Sequence, residues 1–194
     1  MKKKLLYIDT ETTGLDPQRH GLREIACILV EDGEVVDIFK TMVNPGTYRR
    51  EVEIDQQALD ISGKDREELK LYPSSDEAME AFRGFLSRHK PEDGRLQIAG
   101  YNVGFDIGFL KEWFKDCELN YDDFFNYKPL DIFALVGVLR YHGHINTKSD
   151  KLAVVCEAFS IPIDAHNALS DITATMQLHQ LLADRFICEK EIAQ

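Results

Sequence analysis

The stretch YIDTETTG (residues 7–14) puts two carboxylates, Asp9 and Glu11, at the end of a short apolar run, KLLYID at 4–9. If that run is a buried strand, its side chains repeat direction every second residue, so both acids leave one face of a sheet at one strand end. Like charges held that close in a low-dielectric setting raise each other's pKa or need a neutraliser. No lysine or arginine follows within the motif. A hard divalent cation with oxygen ligands meets the requirement.

The segments that follow supply the rest of a sheet. REIACILVED (23–32) and EVVDIFKTMV (34–43) read as two further strands joined by a tight turn at Asp32-Gly33, and Asn44-Pro45-Gly46 ends the segment. Residues 47–75 are polar and irregular, with a short helix predicted around Asp55 to Leu59. SSDEAMEAFRGFLSRH (74–89) opens on a serine cap and spaces Ala78, Phe82, Phe85 and Leu86 along one helix face. LQIAG (96–100) is a fourth strand, leading through Asn102 and Gly104 into the helical stretch FDIGFLKEWFKDC. Helices are predicted over 130–141, over 150–159 and from about 166 to 187. An early antiparallel hairpin, one later strand and several helices indicate an α/β or α+β domain.

A chain of 194 residues suits one well-buried core, so residues 1–194 are read as a single domain. With 44% hydrophobic and 29% charged residues, the composition is that of a globular protein rather than a disordered chain. No apolar stretch approaches the roughly 20 residues that span a bilayer, and the run after MKKK breaks at Asp9 without a cleavage site. A cytoplasmic protein with no membrane partner is expected. Cys27, Cys117, Cys156 and Cys188 are scattered and read as buried free thiols. The net charge of -11 argues against a broad grip on duplex DNA, so any nucleic-acid contact must be local.

Two later stretches carry acids at comparable positions. In AGYNVGFDIGFL (99–110), Asp106 sits near a helix start, where a carboxylate also complements the helix dipole. Phe105, Phe109 and Trp113 follow at i, i+4 and i+8, a spacing that reads as core before it reads as nucleotide stacking. In HNALSDITATMQLHQLL (166–182), Asp171 shares a helix face with Ala168, Thr175, Leu178 and Leu182. An unpaired charge in that company is costly, so a partner or metal is expected. His166 lies five residues earlier and must stand in or before the first turn to reach the same place. One shared site explains all three stretches. Two divalent ions held by a few carboxylates can activate a water and stabilise the leaving oxygen of a phosphodiester, with a nearby histidine as base.

On these residues the chain resembles the DnaQ-like 3′-to-5′ exonucleases of the DEDDh type, the family of bacterial proofreading subunits, ribonuclease T and oligoribonuclease. The resemblance runs through IDTETTGLD (8–16), VNPG (43–46), ISGKDREEL (61–69), NVGFDIGFL (102–110), KLAVVCEAFSI (151–161) and HNALSD (166–171). It implies an α/β, ribonuclease-H-like fold with a central mixed β-sheet flanked by helices. It also implies two Mg²⁺ ions, with Mn²⁺ able to substitute. Asp9, Glu11 and Asp171 would ligate the nucleophile-side metal, Asp9 would be shared with the second ion, Asp106 would be the remaining acid, and His166 the general base. Thr12, Thr13, Gly14 and Leu15 match the loop that holds the terminal nucleotide, where glycine permits close approach, and Asn102 would join the substrate contacts. Tyr101 stands where many relatives have histidine.

The expected activity is removal of nucleoside monophosphates from the 3′ ends of single-stranded DNA. An exoribonuclease trimming short RNA is the alternative within the class, and the choice turns on how the site treats a 2′-hydroxyl. A different class on the same fold is an inactive nucleic-acid-binding scaffold of a polymerase, against which all four acids and the histidine speak. A polymerase is the expected protein partner if the chain is a proofreader. The short run after the last helix slightly favours a stand-alone enzyme.

Overall fold

A computed structural model of the chain describes residues 4–91 and 94–186. Five strands form one mixed sheet in the order β3-β2-β1-β4-β5. Strand β1 (Lys4–Thr12) lies at its centre, antiparallel to β2 (Leu22–Glu31) and parallel to β4 (Gln97–Gly100). Strand β3 (Glu34–Met42) closes one edge antiparallel to β2, and the two-residue β5 (Leu130–Asp131) closes the other, parallel to β4. The β2–β3 hairpin turns at Asp32 (φ 52°) and Gly33 (φ 90°), two positive φ values in succession that an Asp-Gly pair tolerates best.

The helices divide between the two faces because β1 alternates. Leu6 and Ile8 enter one core with Phe82, Phe85 and Leu86 of α3 (Ser75–His89) and Phe109, Leu110, Trp113 and Phe114 of α4 (Gly104–Asp116). Tyr7 enters the other core with α5 (Ile132–Tyr141), α6 (Leu152–Ala158) and α7 (Ala168–Phe186). Helix α3 begins on the expected serine cap, which the structure extends to a reciprocal capping box between Ser74 and Glu77. Its Phe82 stacks on Trp113 at 5.9 Å between ring centroids, and the indole N–H of Trp113 donates to Ser75 Oγ at 3.0 Å.

Several elements differ from the sequence reading. Strand β1 continues three residues beyond Asp9, because pairing to β2 carries the backbone through Glu11 to Thr12 whatever the polarity of its side chains. The segment 47–75 holds two helices, α1 (Gln56–Ser62) and α2 (Arg66–Leu69), where one was expected. Helix α2 is four residues long, too short for a periodic apolar signal, and starts on an Asp65 cap. Strand β5 is likewise too short to read and depends on β4 as its neighbour. Cys27 and Cys156 are buried free thiols and Cys117 is partly buried, while Cys188 and residue 187 of the expected last helix lie outside the described residues. No helix among the described residues is long and apolar enough to cross a membrane.

Phe82 is fully buried among Phe39, Phe85 and Trp113, so Phe82→Ala should lower stability by about 3–5 kcal/mol in urea denaturation with an unchanged m-value.

Candidate active site

The site forms beyond the carboxyl ends of β1 and β4, where an α/β sheet leaves a crevice between its crossover connections. Alternation along β1 sends Asp9 and Glu11 to the α7 side, following Tyr7, while Thr10 points to the α4 side. Thr10 there donates twice to one oxygen of Asp106, from its backbone N–H at 2.9 Å and its hydroxyl at 2.7 Å. Asp106 is 4% exposed and stands in the first turn of α4.

From the other face comes the start of α7. Asp171 lies in the helix's first turn, and His166 precedes the helix in a left-handed conformation (φ 69°). That turn folds the chain back so that the His166 backbone N–H donates to Asp171 Oδ2 at 3.1 Å. Asn102 also has positive φ (57°) and is fixed by a bond from its N–H to Asp131 Oδ1 at 2.9 Å. Two non-glycine residues held in this sparsely populated region flank one cleft, a concentration of backbone strain typical of functional sites.

Asp9, Glu11 and Asp171 each present a carboxylate oxygen, and these atoms lie within 4.8 Å of one another. Asp106 stands beside the trio rather than within it, and with His166 and Asn102 these residues line one cleft of about 830 Å³. Burial, with Asp106, Asp171 and Glu11 as charged neighbours, pushes the Asp9 carboxyl well above the usual carboxylate range. Burial moves Asp106 up to about 7 against the opposing Thr10 hydrogen bonds, and moves Asp171 up against the His166 N–H. The buried Oδ1 of Asp171 has no hydrogen-bond partner. An all-oxygen set with an orphaned buried acceptor and mutually raised pKa values suits a hard divalent cation.

A neutraliser inside the protein was not visible in the first motif, and here the sequence reading is corrected. Arg23, only 2% exposed, donates from NH2 to Glu11 Oε2 at 2.9 Å. The register explains the contact: Glu11 faces Glu24 and Thr12 faces Leu22, leaving Arg23 as the unpaired residue of a β-bulge. A bulge re-aims its side chain, and this one delivers a guanidinium to the acid on the neighbouring strand. Burial still raises the Glu11 carboxyl, with Arg23 opposing. Glu24, buried on the same strand, pairs with Lys40 at 2.9 Å. The available signal was the pair Arg23-Glu24 opening an otherwise apolar strand.

The loop after β1 is placed differently from its four acids' cleft. Thr13 is fully buried, its hydroxyl donating to Glu53 O at 2.7 Å and accepting from the Gly21 N–H at 3.0 Å. Thr12 donates to Gly14 O, and Leu15 is 80% exposed. A Cβ on Gly14 would stand 2.3 Å from the His20 ring, so the close approach this glycine permits in the structure is that of His20. None of the four lines the carboxylate cleft. Phe105, expected in the core, is only partly buried and lines it, while Phe109 and Trp113 are core.

The RNase T family model, described as an exonuclease, matches residues 6–179. The chain belongs to this exonuclease family. Among its relatives is the PolC-type DNA polymerase III of Thermotoga petrophila, 31% identical over 89% of the chain. The match covers 11% of that polymerase, so the chain spans about a tenth of the length of such relatives. Ribonuclease T of a Shewanella strain is 29% identical over 93% of the chain and 82% of its own length. Escherichia coli exonuclease I, solved in complex with a dT13 oligonucleotide, shares the fold with a TM-score of 0.79 at 19% identity, over 94% of this chain and 41% of that one. The ribonuclease-H-like exonuclease fold implied by the motifs is therefore the observed one.

The raised carboxyls give the metal-free protein a defined pH response. Asp106 loses its proton near pH 7 when folded and near 4 when unfolded, so between those values the folded state holds the extra proton. Stability should then fall as pH rises through that window. In EDTA the protein is expected to unfold at lower urea at pH 8 than at pH 5, and Asp106→Asn should reduce the difference. Equal midpoints for the wild type at both pH values would count against the clustered-acid geometry.

Breaking the Arg23–Glu11 pair leaves a buried charge without its partner. Arg23→Leu should cost about 3–5 kcal/mol of stability, and adding Glu11→Gln should recover most of it. Urea denaturation of the two variants measures this directly.

Proposed function

We propose that the chain acts as one metal-dependent 3′-to-5′ exonuclease domain of the DEDDh type, releasing nucleoside monophosphates from the 3′ ends of single-stranded DNA. The observation that carries this reading is the convergence of Asp9, Glu11 and Asp171 within 4.8 Å, with the unpartnered Asp171 Oδ1 among them. Asp9, Glu11 and Asp171 would hold one Mg²⁺ or Mn²⁺ ion, with Asp9 and Asp106 serving a second. Bound there, the ions supply Lewis acidity at the scissile phosphate.

The chain's own residues do the remaining work. His166 lines the cleft, and its imidazole takes the proton from the attacking water. Asp171 accepts from the backbone N–H of His166, which fixes the turn carrying that imidazole relative to the carboxylates. Thr10 holds one oxygen of Asp106, so its carboxyl keeps one orientation. Thr12 and Leu15 bound the terminal nucleotide from outside the carboxylate cleft, and the buried Thr13 and Gly14 set the loop's shape. A net charge of -11 leaves no broad basic track, which favours a strand end over continuous duplex. The likeness to ribonuclease T over most of that enzyme's length supports short RNA as a second substrate, and the PolC-type likeness supports proofreading beside a polymerase.

Digestion of end-labelled oligonucleotides with Mg²⁺ tests the reading. A 3′-labelled single strand should release labelled mononucleotide at once, a 5′-labelled strand should shorten stepwise, and circular single strands should stay intact. His166→Ala should lower kcat by roughly 10²–10⁴-fold while keeping Mg²⁺-dependent stabilisation. Early release from the 5′-labelled strand, or nicking of the circle, would overturn the proposal.

A further inference from the structure

Stability does not account for Arg23. Its side chain is buried, it meets Glu11 through a single nitrogen, Nη2 to Oε2 at 2.9 Å, and its buried Nε has no hydrogen-bond partner among the described residues. Apolar side chains in place of a whole buried ion pair are often neutral or stabilising. An incompletely satisfied guanidinium kept in the interior therefore points to a task beyond holding the fold. The bulge narrows that task, since it aims Arg23 at Glu11 while the next residue, Glu24, pairs with Lys40.

The same restriction recurs around the cleft. Asp171 gives Oδ2 to the His166 N–H, and Asp106 gives Oδ1 to the N–H and hydroxyl of Thr10. Glu11, Asp106 and Asp171 thus each have one oxygen engaged by a fixed donor, and of those donors Arg23 alone carries a charge. Divalent ions differ in what this leaves them. Mg²⁺ takes about six oxygens at roughly 2.0–2.1 Å, several of them water, and is served by single carboxylate oxygens. Ca²⁺ takes about six to eight at roughly 2.3–2.6 Å and draws on two-oxygen chelation by carboxylates. Glu11 could close both oxygens on one ion only by breaking its buried pair with Arg23, which deprives the larger ion of a ligand and the smaller one of nothing.

We propose that Arg23 sets the ion selectivity of the carboxylate site: by holding Oε2 it confines Glu11 to one-oxygen ligation and so favours Mg²⁺ over Ca²⁺. The assignment rests on the metal-dependent exonuclease reading and deepens it. Arg23 acts through Glu11, which makes it a positioning residue rather than a ligand.

Displacement of Mn²⁺ by Mg²⁺ and by Ca²⁺, followed by electron paramagnetic resonance on metal-stripped protein, gives the ratio of the two affinities without any cleavage. Arg23→Met should shift that ratio toward Ca²⁺ roughly tenfold. Both ions carry the same charge, so losing the guanidinium's repulsion moves both affinities together and cancels in the ratio. Adding Glu11→Gln, whose amide offers a single oxygen, should return the ratio to the wild-type value while removing the unpaired buried charge. A second measurement needs no Arg23 variant. In infrared difference spectra of the Ca²⁺-loaded wild type against Glu11→Gln, the Glu11 carboxylate should show the wide band splitting of one-oxygen ligation. A ratio unchanged in Arg23→Met, a shift that persists in the double variant, or the narrow splitting of a two-oxygen chelate in the wild type would overturn the assignment and leave the exonuclease reading standing. A wild type that binds none of these ions would overturn both.

Discussion

Repulsion among carboxylates gathered at the end of β1 is the constraint to which the rest of the site answers. Asp9, Glu11 and Asp171 converge, with Asp106 and Glu24 close enough to raise their pKa values. Left alone, such a cluster would hold protons or push apart. The fold opposes that with fixed donors: the Thr10 N–H and hydroxyl for Asp106, the His166 N–H for Asp171, Arg23 for Glu11 and Lys40 for Glu24. These devices leave carboxylate oxygens of Asp9, Glu11 and Asp171 for the proposed cation.

Each device depends on an ordinary property of the secondary structure around it. Strand alternation separates Thr10 from Asp9 and Glu11, so one short segment addresses helices on both faces of the sheet. The bulge at Arg23 converts an edgewise residue into the partner of Glu11. Behind them, the aromatic core of Phe82, Phe85, Trp113 and Phe114 holds α3 and α4 in place, and α7 packs along β1 and β2. Because both layers grip β1, the acids at its end have little freedom to relax away from one another.

On the proposed function, a chain of net charge -11 would bind a polyanion without a broad basic surface. The clustered acids would then concentrate attraction, through bound cations, at a strand end rather than along its length. Bound cations would address the scissile phosphate. Nothing in that arrangement requires a basic surface.

How much of this was legible beforehand follows from the range of each interaction. The hairpin, α3 with its cap, α4 and the helical face of Asp171 rest on contacts within a few residues, so spacing alone located them. Asp9, Asp106 and Asp171 stood out as acids beside apolar runs, Glu11 by its spacing from Asp9, and His166 by its place five residues before Asp171. By contrast, the continuation of β1 to Thr12, the two-residue β5 and the four-residue α2 are held by neighbours distant in sequence and carry no period of their own. The Arg23–Glu11 pair depends on a one-residue slip in strand register, Thr13 is consumed by Glu53 and Gly21, and Gly14 makes room for His20. Sequence by itself determined which residues could carry the chemistry, since charge and periodicity are local. Tertiary structure decided which of them meet, because register, bulges and inter-element hydrogen bonds exist only once the chain has closed on itself.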